Sequence, residues 1–251
     1  MLMNENRTML KLLSLNIEGD NHYERIFPFF AKEDPDVLCL QEFFLEDLSM
    51  FEEKLGMKGY AVGMWTTNLP NTSRIAPKGV MGVVIFSKLP FQLSEHAWYV
   101  GTDHEVVEMF AEGVGPEKVS RALLWADVEK EGKKYRIATT HFTWSPAGSV
   151  TDTQRQHLQS LLEITTNLGE SIVCGDFNAP RGKEIFETLA AIYTDNIPPN
   201  VHTTMDNNLH RISTLDPLVV DVLFTSSMYI AKNVHVINGV SDHCAVVGDI
   251  Q

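Results

Sequence analysis

Short apolar runs alternate with amphipathic stretches along the chain, and several of the runs stop at a polar residue. Residues 9–15 (MLKLLSL) read as a buried strand that ends at Asn16. Residues 22–32 carry Ile26, Phe29 and Phe30 at helical spacing, with Pro28 placed in a first turn, where proline is tolerated. Residues 37–40 (VLCL) form a second apolar run, followed at once by Gln41 and Glu42. The pattern then predicts an amphipathic helix over 45–55 and strands over 59–64, 79–87 and 91–100. Residues 121–129 and 135–140 flank Glu131-Gly132-Lys133, the signature of a hairpin, and this hairpin ends at His141.

A helix over 151–168 follows, with Leu158, Leu161, Leu162 and Ile164 on one face and Thr151 or Asp152 as its cap. Next comes SIVCGDFNAP, residues 171–180: an apolar run closed by Gly175, then Asp176 and Asn178. In extended backbone these two polar side chains share one side. A helix over 183–191, a strand over 218–224 interrupted by Asp221, and strands over 231–237 and 244–250 complete the pattern. Segments 65–78, 101–119 and 193–215 have no regular period, and loops of such length in a compact domain are often functional. No repeat or linker divides the chain, which reads as one α/β domain over 1–251.

Composition narrows the classes. The chain has 33 acidic against 20 basic residues, a formal charge of −13, and no basic run, which weighs against a duplex-coating protein. Cys39, Cys174 and Cys244 lie far apart in apolar runs, so they read as free thiols in a reducing, cytoplasmic setting. No apolar stretch is long enough for a membrane span. A monomer is expected.

The polar strand ends are Asn16, Glu42, His141, Asp176 with Asn178, and Asp242 with His243. One such ending is an ordinary turn, cap or solvated strand end. Five together suggest a shared crevice, and their oxygen-rich chemistry suits Mg²⁺ or Mn²⁺ rather than zinc. A carboxylate inside the apolar run around Asp221 must be hydrogen-bonded, paired or at the sheet edge, which makes a histidine partner a specific expectation. Arg121, which opens a strand after a long loop, reads either as a bidentate phosphate ligand or as a salt-bridge arginine.

In this order, SLN (Asn16), LQE (Glu42), TH (Thr140-His141), GDFN (Asp176–Asn178), VDVLF (Asp221) and SDH (Ser241–His243), the chain resembles the endonuclease/exonuclease/phosphatase superfamily, metal-dependent phosphoesterases related to DNase I and exonuclease III. The resemblance implies a four-layer α/β sandwich, two mixed sheets face to face with helices outside. It implies a metal, Mg²⁺ with Mn²⁺ substituting, on Glu42 with Asn16 nearby and Asp242 within reach. It assigns Asp176 to the attacking water and Asn178 to a phosphate oxygen or that water. His243 would lie on the scissile phosphate, oriented by Asp221, and His141 and Arg121 would lie near the substrate.

The implied reaction is phosphoester hydrolysis, on a small or single-stranded substrate. A DNA-repair endonuclease or tyrosyl–DNA phosphodiesterase, and an inactive binding module, are the alternatives. The number of metals and the division of acid and base roles between Asp176 and His243 stay open. Substrate selection would fall to the irregular segments, through Asn68, Asn71, Arg74, Lys78, His202, His210 and Arg211.

Overall fold

The computed structural model describes residues 9–66, 79–102, 106–109, 114–211 and 216–251. Asn68, Asn71, Arg74 and Lys78 lie outside them. One sheet contains β1 (Leu10–Asn16), β2 (Val37–Phe44), β3 (Lys58–Thr66), β4 (Val80–Ser87), β6 (Val107–Glu108), β12 (Ala231–Ile237) and β13 (Ala245–Ile250). The other contains β5 (Phe91–Val100), β7 (Arg121–Lys130), β8 (Lys133–His141), β9 (Ile172–Asp176), β10 (Thr194–Asp195) and β11 (Asp221–Thr225). Their orders are 12-13-1-2-4-3-6 and 10-11-9-8-7-5. Both are mixed: β1–β2 and β8–β9 are parallel, whereas β1–β13 and β9–β11 are antiparallel.

The sheets pack face to face, and α1 (Tyr23–Glu33), α2 (Leu48–Leu55), α3 (Asp152–Leu168) and α4 (Glu184–Ala190) cover their outer faces. Leu12, Cys39, Leu124, Ile137 and Cys174 fill the space between the sheets. Leu13 and Leu40 face Ile26 and Phe30 of α1 and Phe51 of α2. Val173 and Phe224 face Leu161 of α3 and Phe186 of α4. Central strands are therefore buried on both sides, which is why they read as unbroken apolar runs. The result is the expected four-layer α/β sandwich.

Topology gathers the polar strand ends. The parallel pairs β1–β2 and β8–β9 bring their carboxyl ends to one edge. The antiparallel β11 and β13 bring their amino ends to the same edge. Asp176 pairs in register with His141 on one side and Asp221 on the other.

Local details depart from the pattern in instructive ways. Thr151 caps α3 by accepting the Gln154 N–H at 3.1 Å. Pro28, however, sits in the interior of α1, because the helix already begins at Tyr23; there it removes the N–H that would bond the Glu24 carbonyl. Residues 45–47 form a 3₁₀ turn before α2 rather than its first turn. Strand β11 starts at Asp221, so that carboxylate stands at the strand's mouth rather than in its middle. Gly175 does not stop β9 but belongs to it, with φ of 134°. A Cβ there would lie 2.2 Å from the Thr140 carbonyl oxygen, so glycine is what lets β8 and β9 approach beside the site.

Strand β2 does not end before Gln41-Glu42. It continues to Phe44 through a bulge: Gln41 faces Val83, yet Phe43 faces Gly82, leaving Glu42 as the extra residue with φ of 54°.

Candidate active site

The bulge frees Glu42 from the ladder and turns its side chain toward the sheet edge. Gln41, fully buried, instead donates through Nε2 to Thr139 Oγ1 at 3.0 Å, tying the two sheets together behind the site. Asn16, at the end of β1, donates through Nδ2 to Asp176 Oδ2 at 3.1 Å and to Glu42 Oε1 at 3.3 Å. One carboxamide thus spans the two sheets.

Asp176 is the hub. Its Oδ1 accepts the Asn178 backbone N–H at 2.8 Å, an Asx turn that holds Asn178 at φ of 47°. Its Oδ2 lies 3.3 Å from His141 Nε2 and 3.7 Å from His243 Nε2. Burial would raise this carboxyl. The charge of His243, the hydrogen bond and charge of His141, and the Asn178 N–H outweigh burial and hold it well below the usual carboxylate range. Asn178 Nδ2 donates to the Phe142 carbonyl at 3.1 Å, and Gln154 Nε2 donates to the carbonyls of Thr143 and Asn178, so the two loops after β8 and β9 are joined.

The partner expected for Asp221 is His243: Nδ1 and Oδ2 are 2.9 Å apart and both groups are buried. Thr204 Oγ1 accepts the Asp221 N–H at 3.1 Å and fixes the start of β11. Burial would lower the imidazole, but Asp221, Asp176 and Asp242 around it more than offset that, so the imidazolium is favoured well above the ordinary histidine value. Burial also raises the Asp221 carboxyl, against the pull of His243.

Beside this pair lies an oxygen-rich group, in which Glu18, His22 and Asp242 point ligand atoms within 4.8 Å of one another. Burial pushes Asp242 up to about 7; His243 opposes this, and Glu18 and Glu42 add to it. The group brings the carboxylate oxygens of Glu18 and Asp242 together, and oxygen donors of this kind fit a hard divalent cation. Glu18 and His22 escaped the sequence reading. The available signal was spacing: Glu18 stands two residues after Asn16, as Asn178 stands two after Asp176. Three non-glycine residues of the crevice, Glu18, Glu42 and Asn178, have positive φ, local strain of the kind found where a side chain must be aimed.

Arg121 does not line the crevice as a phosphate ligand. It is 1% exposed, stacks over Trp65 at 4.8 Å, and donates to the carbonyls of His141 at 3.0 Å and Pro116 at 3.1 Å. Trp65 also meets the His141 ring edge-on, with centroids 5.5 Å apart. Both residues therefore buttress His141 from behind. The described part of the irregular segment 193–215, residues 193–211, reaches the site: Met205 bridges His243, and the Asp206 N–H donates to the Asp242 carbonyl at 2.8 Å. His202 is exposed, and Arg211 reaches Glu18.

The endonuclease/exonuclease/phosphatase family model matches residues 13–243, a span that contains every residue placed at this edge. The chain belongs to that family. Its members are hydrolases acting on phosphoesters. No curated protein is similar enough to match. Among solved structures, an endonuclease/exonuclease/phosphatase from Bacteroides vulgatus superposes with a TM-score of 0.72 at 19% identity, covering 97% of this chain and 99% of its own. The catalytic domain of human nocturnin with bound sulfate gives 0.70 at 18%, over 99% and 95%. A mannosyl-6-phosphatase from Bacteroides thetaiotaomicron gives 0.69 at 16%, over 96% and 99%. At these identities the likeness speaks for the family's fold. Among the described residues no helix is long and apolar enough to cross a membrane.

Proposed function

We propose that this family member is a divalent-metal-dependent phosphoester hydrolase acting on a small or single-stranded substrate, with Asp176 at the attacking water and His243 at the phosphate. The observation that carries the reading is the position of Asp176 Oδ2, between His141 and His243 and joined through the Asn16 carboxamide to Glu42. Glu42, Glu18 and Asp242, with Asn16 nearby, would hold Mg²⁺, or Mn²⁺ in its place. The ion's chemistry is to neutralise charge on the phosphoryl oxygens and to favour hydroxide over water.

The chain's own residues supply the rest. Asp176, ionised at neutral pH and held by Asn16 and Asn178, orients the attacking water and accepts its hydrogen bond. Its weak basicity suits orientation better than full proton removal. His243, kept cationic by Asp221, presents Nε2–H to the phosphate and offsets the charge that develops there. Asn178 and His141 complete the wall against which the phosphoryl oxygens rest. Arg121 and Trp65 act on substrate only through His141. The net acidity of the chain favours a compact substrate over long duplex DNA, whose binding draws on many cationic contacts. The buried free thiols favour a reducing compartment such as the cytoplasm.

The test is a panel assayed with Mg²⁺, Mn²⁺ or EDTA: bis-p-nitrophenyl phosphate, dinucleotides, single-stranded DNA and RNA, inositol and sugar phosphates, an abasic-site duplex and a 5′-tyrosyl oligonucleotide. Metal-dependent cleavage of a small or single-stranded member, lost in His243→Ala, is expected. Turnover confined to the abasic or tyrosyl duplexes, with steep salt dependence, would replace this reading by the DNA-repair one.

A further inference from the structure

Arg211 is half exposed, yet its Nε lies 3.4 Å from Oε1 of the buried Glu18 carboxylate. The other carboxylate oxygen of Glu18 is 3.0 Å from His22 Nε2, and the Glu18 N–H donates to Asn16 Oδ1 at 3.1 Å. Arg211 thus touches the inner carboxylate group of the crevice from a surface turn.

That turn is firmly rooted. Asp206 accepts backbone N–H groups on both side-chain oxygens, from Asn208 at 2.9 Å and Gly239 at 2.6 Å. Its carbonyl accepts the Leu209 and His210 N–H groups, and its own N–H is bound to the Asp242 carbonyl. The Cys244 N–H donates to the Thr204 carbonyl at 2.7 Å. The stem of the turn is therefore laced to the loop that carries Asp242 and His243, and Arg211 follows it by a few residues. Its backbone is positioned by the catalytic loop, while its side chain is half exposed.

The contact with Glu18 is long and half solvated, the kind of pair worth little and readily exchanged. Neutralising Glu18 from the other side, as a cation in the carboxylate group would, weakens it further. The guanidinium would then stand at the mouth of a strongly acidic crevice that must admit an anion. Arginine's planar fork matches phosphate oxygens two at a time. Among the other described arginines, Arg25 is exposed on α1, Arg121 is buried, Arg136 is paired with Asp127, Arg155 with Glu184, and Arg181 with Asp195; none of these is paired with a carboxylate of the crevice as Arg211 is with Glu18.

Resting on the phosphoesterase reading above, we infer that Arg211 is a specificity residue that binds a second anionic group of the substrate, a phosphate adjoining the scissile ester. Its partner alternates between Glu18 in the empty site and that phosphate in the loaded one. The preferred substrates would then be esters that carry a further phosphate, such as phosphorylated nucleotides or polyphosphorylated small molecules, over bare diesters.

Two measurements test this separately from the reaction itself. Calorimetric binding of inorganic pyrophosphate to the full chain, with Mg²⁺ present, should weaken at least about tenfold in Arg211→Gln and recover in part in Arg211→Lys. In turnover, the KM for a dinucleotide bearing a 5′-phosphate should rise about tenfold more in Arg211→Gln than the KM for the same dinucleotide without it. Equal pyrophosphate affinity in wild type and Arg211→Gln, or KM changes that are the same for both dinucleotides, would overturn the inference. If the wild type cleaves nothing, the proposed reaction fails, and the calorimetry alone still decides for or against Arg211.

Discussion

Replacing Asp221 by alanine leaves His243 buried without its nearest counter-charge. The lost contact is a 2.9 Å hydrogen-bonded ion pair in which both side chains are largely shielded from water. Removing one partner of such a pair typically costs about 3–5 kcal/mol, because the survivor is left charged in a poor solvent. Here the lower end applies. Asp176 Oδ2 remains 3.7 Å from His243 Nε2, and the imidazole can also release its proton. A loss of about 3 kcal/mol in a chain of this size corresponds to a fall in Tm of roughly 6–12 °C.

The pH dependence is more diagnostic than the size. The folded-state pKa of His243 is raised above its ordinary value of 6.5. Its contribution is therefore fully present below about pH 6.5 and is lost as pH rises through the folded value. The gap in stability between wild type and Asp221→Ala should be widest below about pH 6.5 and narrow as pH rises through the raised folded-state value of His243. Asp221→Asn, which keeps a hydrogen-bonding shape without the charge, should fall between the two. The assay is urea denaturation at several pH values, with the His243 titration followed by NMR. A gap that is flat or grows with pH, or a Tm within about 2 °C of wild type, would show that Asp221 does not hold the imidazolium.

Other outcomes are expected. Asp176→Asn should lose at least about 100-fold in kcat, since orienting the nucleophile with a placed carboxylate contributes at least that much; near-normal turnover would remove it from the chemistry. Glu42→Gln should weaken Mg²⁺ binding by about tenfold or more in calorimetry, as expected when a hard cation loses a charged ligand. Gly175→Ala should destabilise by about 2–4 kcal/mol, read as a lowered urea midpoint, because a Cβ at positive φ meets the Thr140 carbonyl at 2.2 Å. Arg121→Met should disturb the His141 ring resonances and lower kcat more than it changes KM, whereas a direct phosphate ligand would shift KM.

Much of this was legible in the chain because doubly buried strands write themselves as apolar runs, and the polar residue that closes each run marks the sheet edge. Asn16, His141 and Asp176 are of this kind. The need of Asp221 for a histidine followed from the cost of an isolated buried carboxylate. Three things were hidden. The bulge at Glu42 depends on pairing with β4, and no local pattern records which residue a partner strand will skip. Glu18 lies in a loop, where an acidic residue is the commonplace choice. Arg121 opens a strand after an irregular segment, and nothing in sequence tells whether such an arginine faces the ligand or, as here, the carbonyls behind a histidine.

Strand β13 lies against β1 with Leu10 opposite Ile250, so the first strand of the fold waits for the last. The loop just before β13 also delivers Asp242 and His243. Contacts of such sequence separation form slowly, since the chain must close nearly its whole length before they form. Regain of turnover during refolding should therefore lag the burial of the hairpin β7–β8, whose contacts are local. For the same reason, half of this sandwich, however well folded, would present a wall without a reaction.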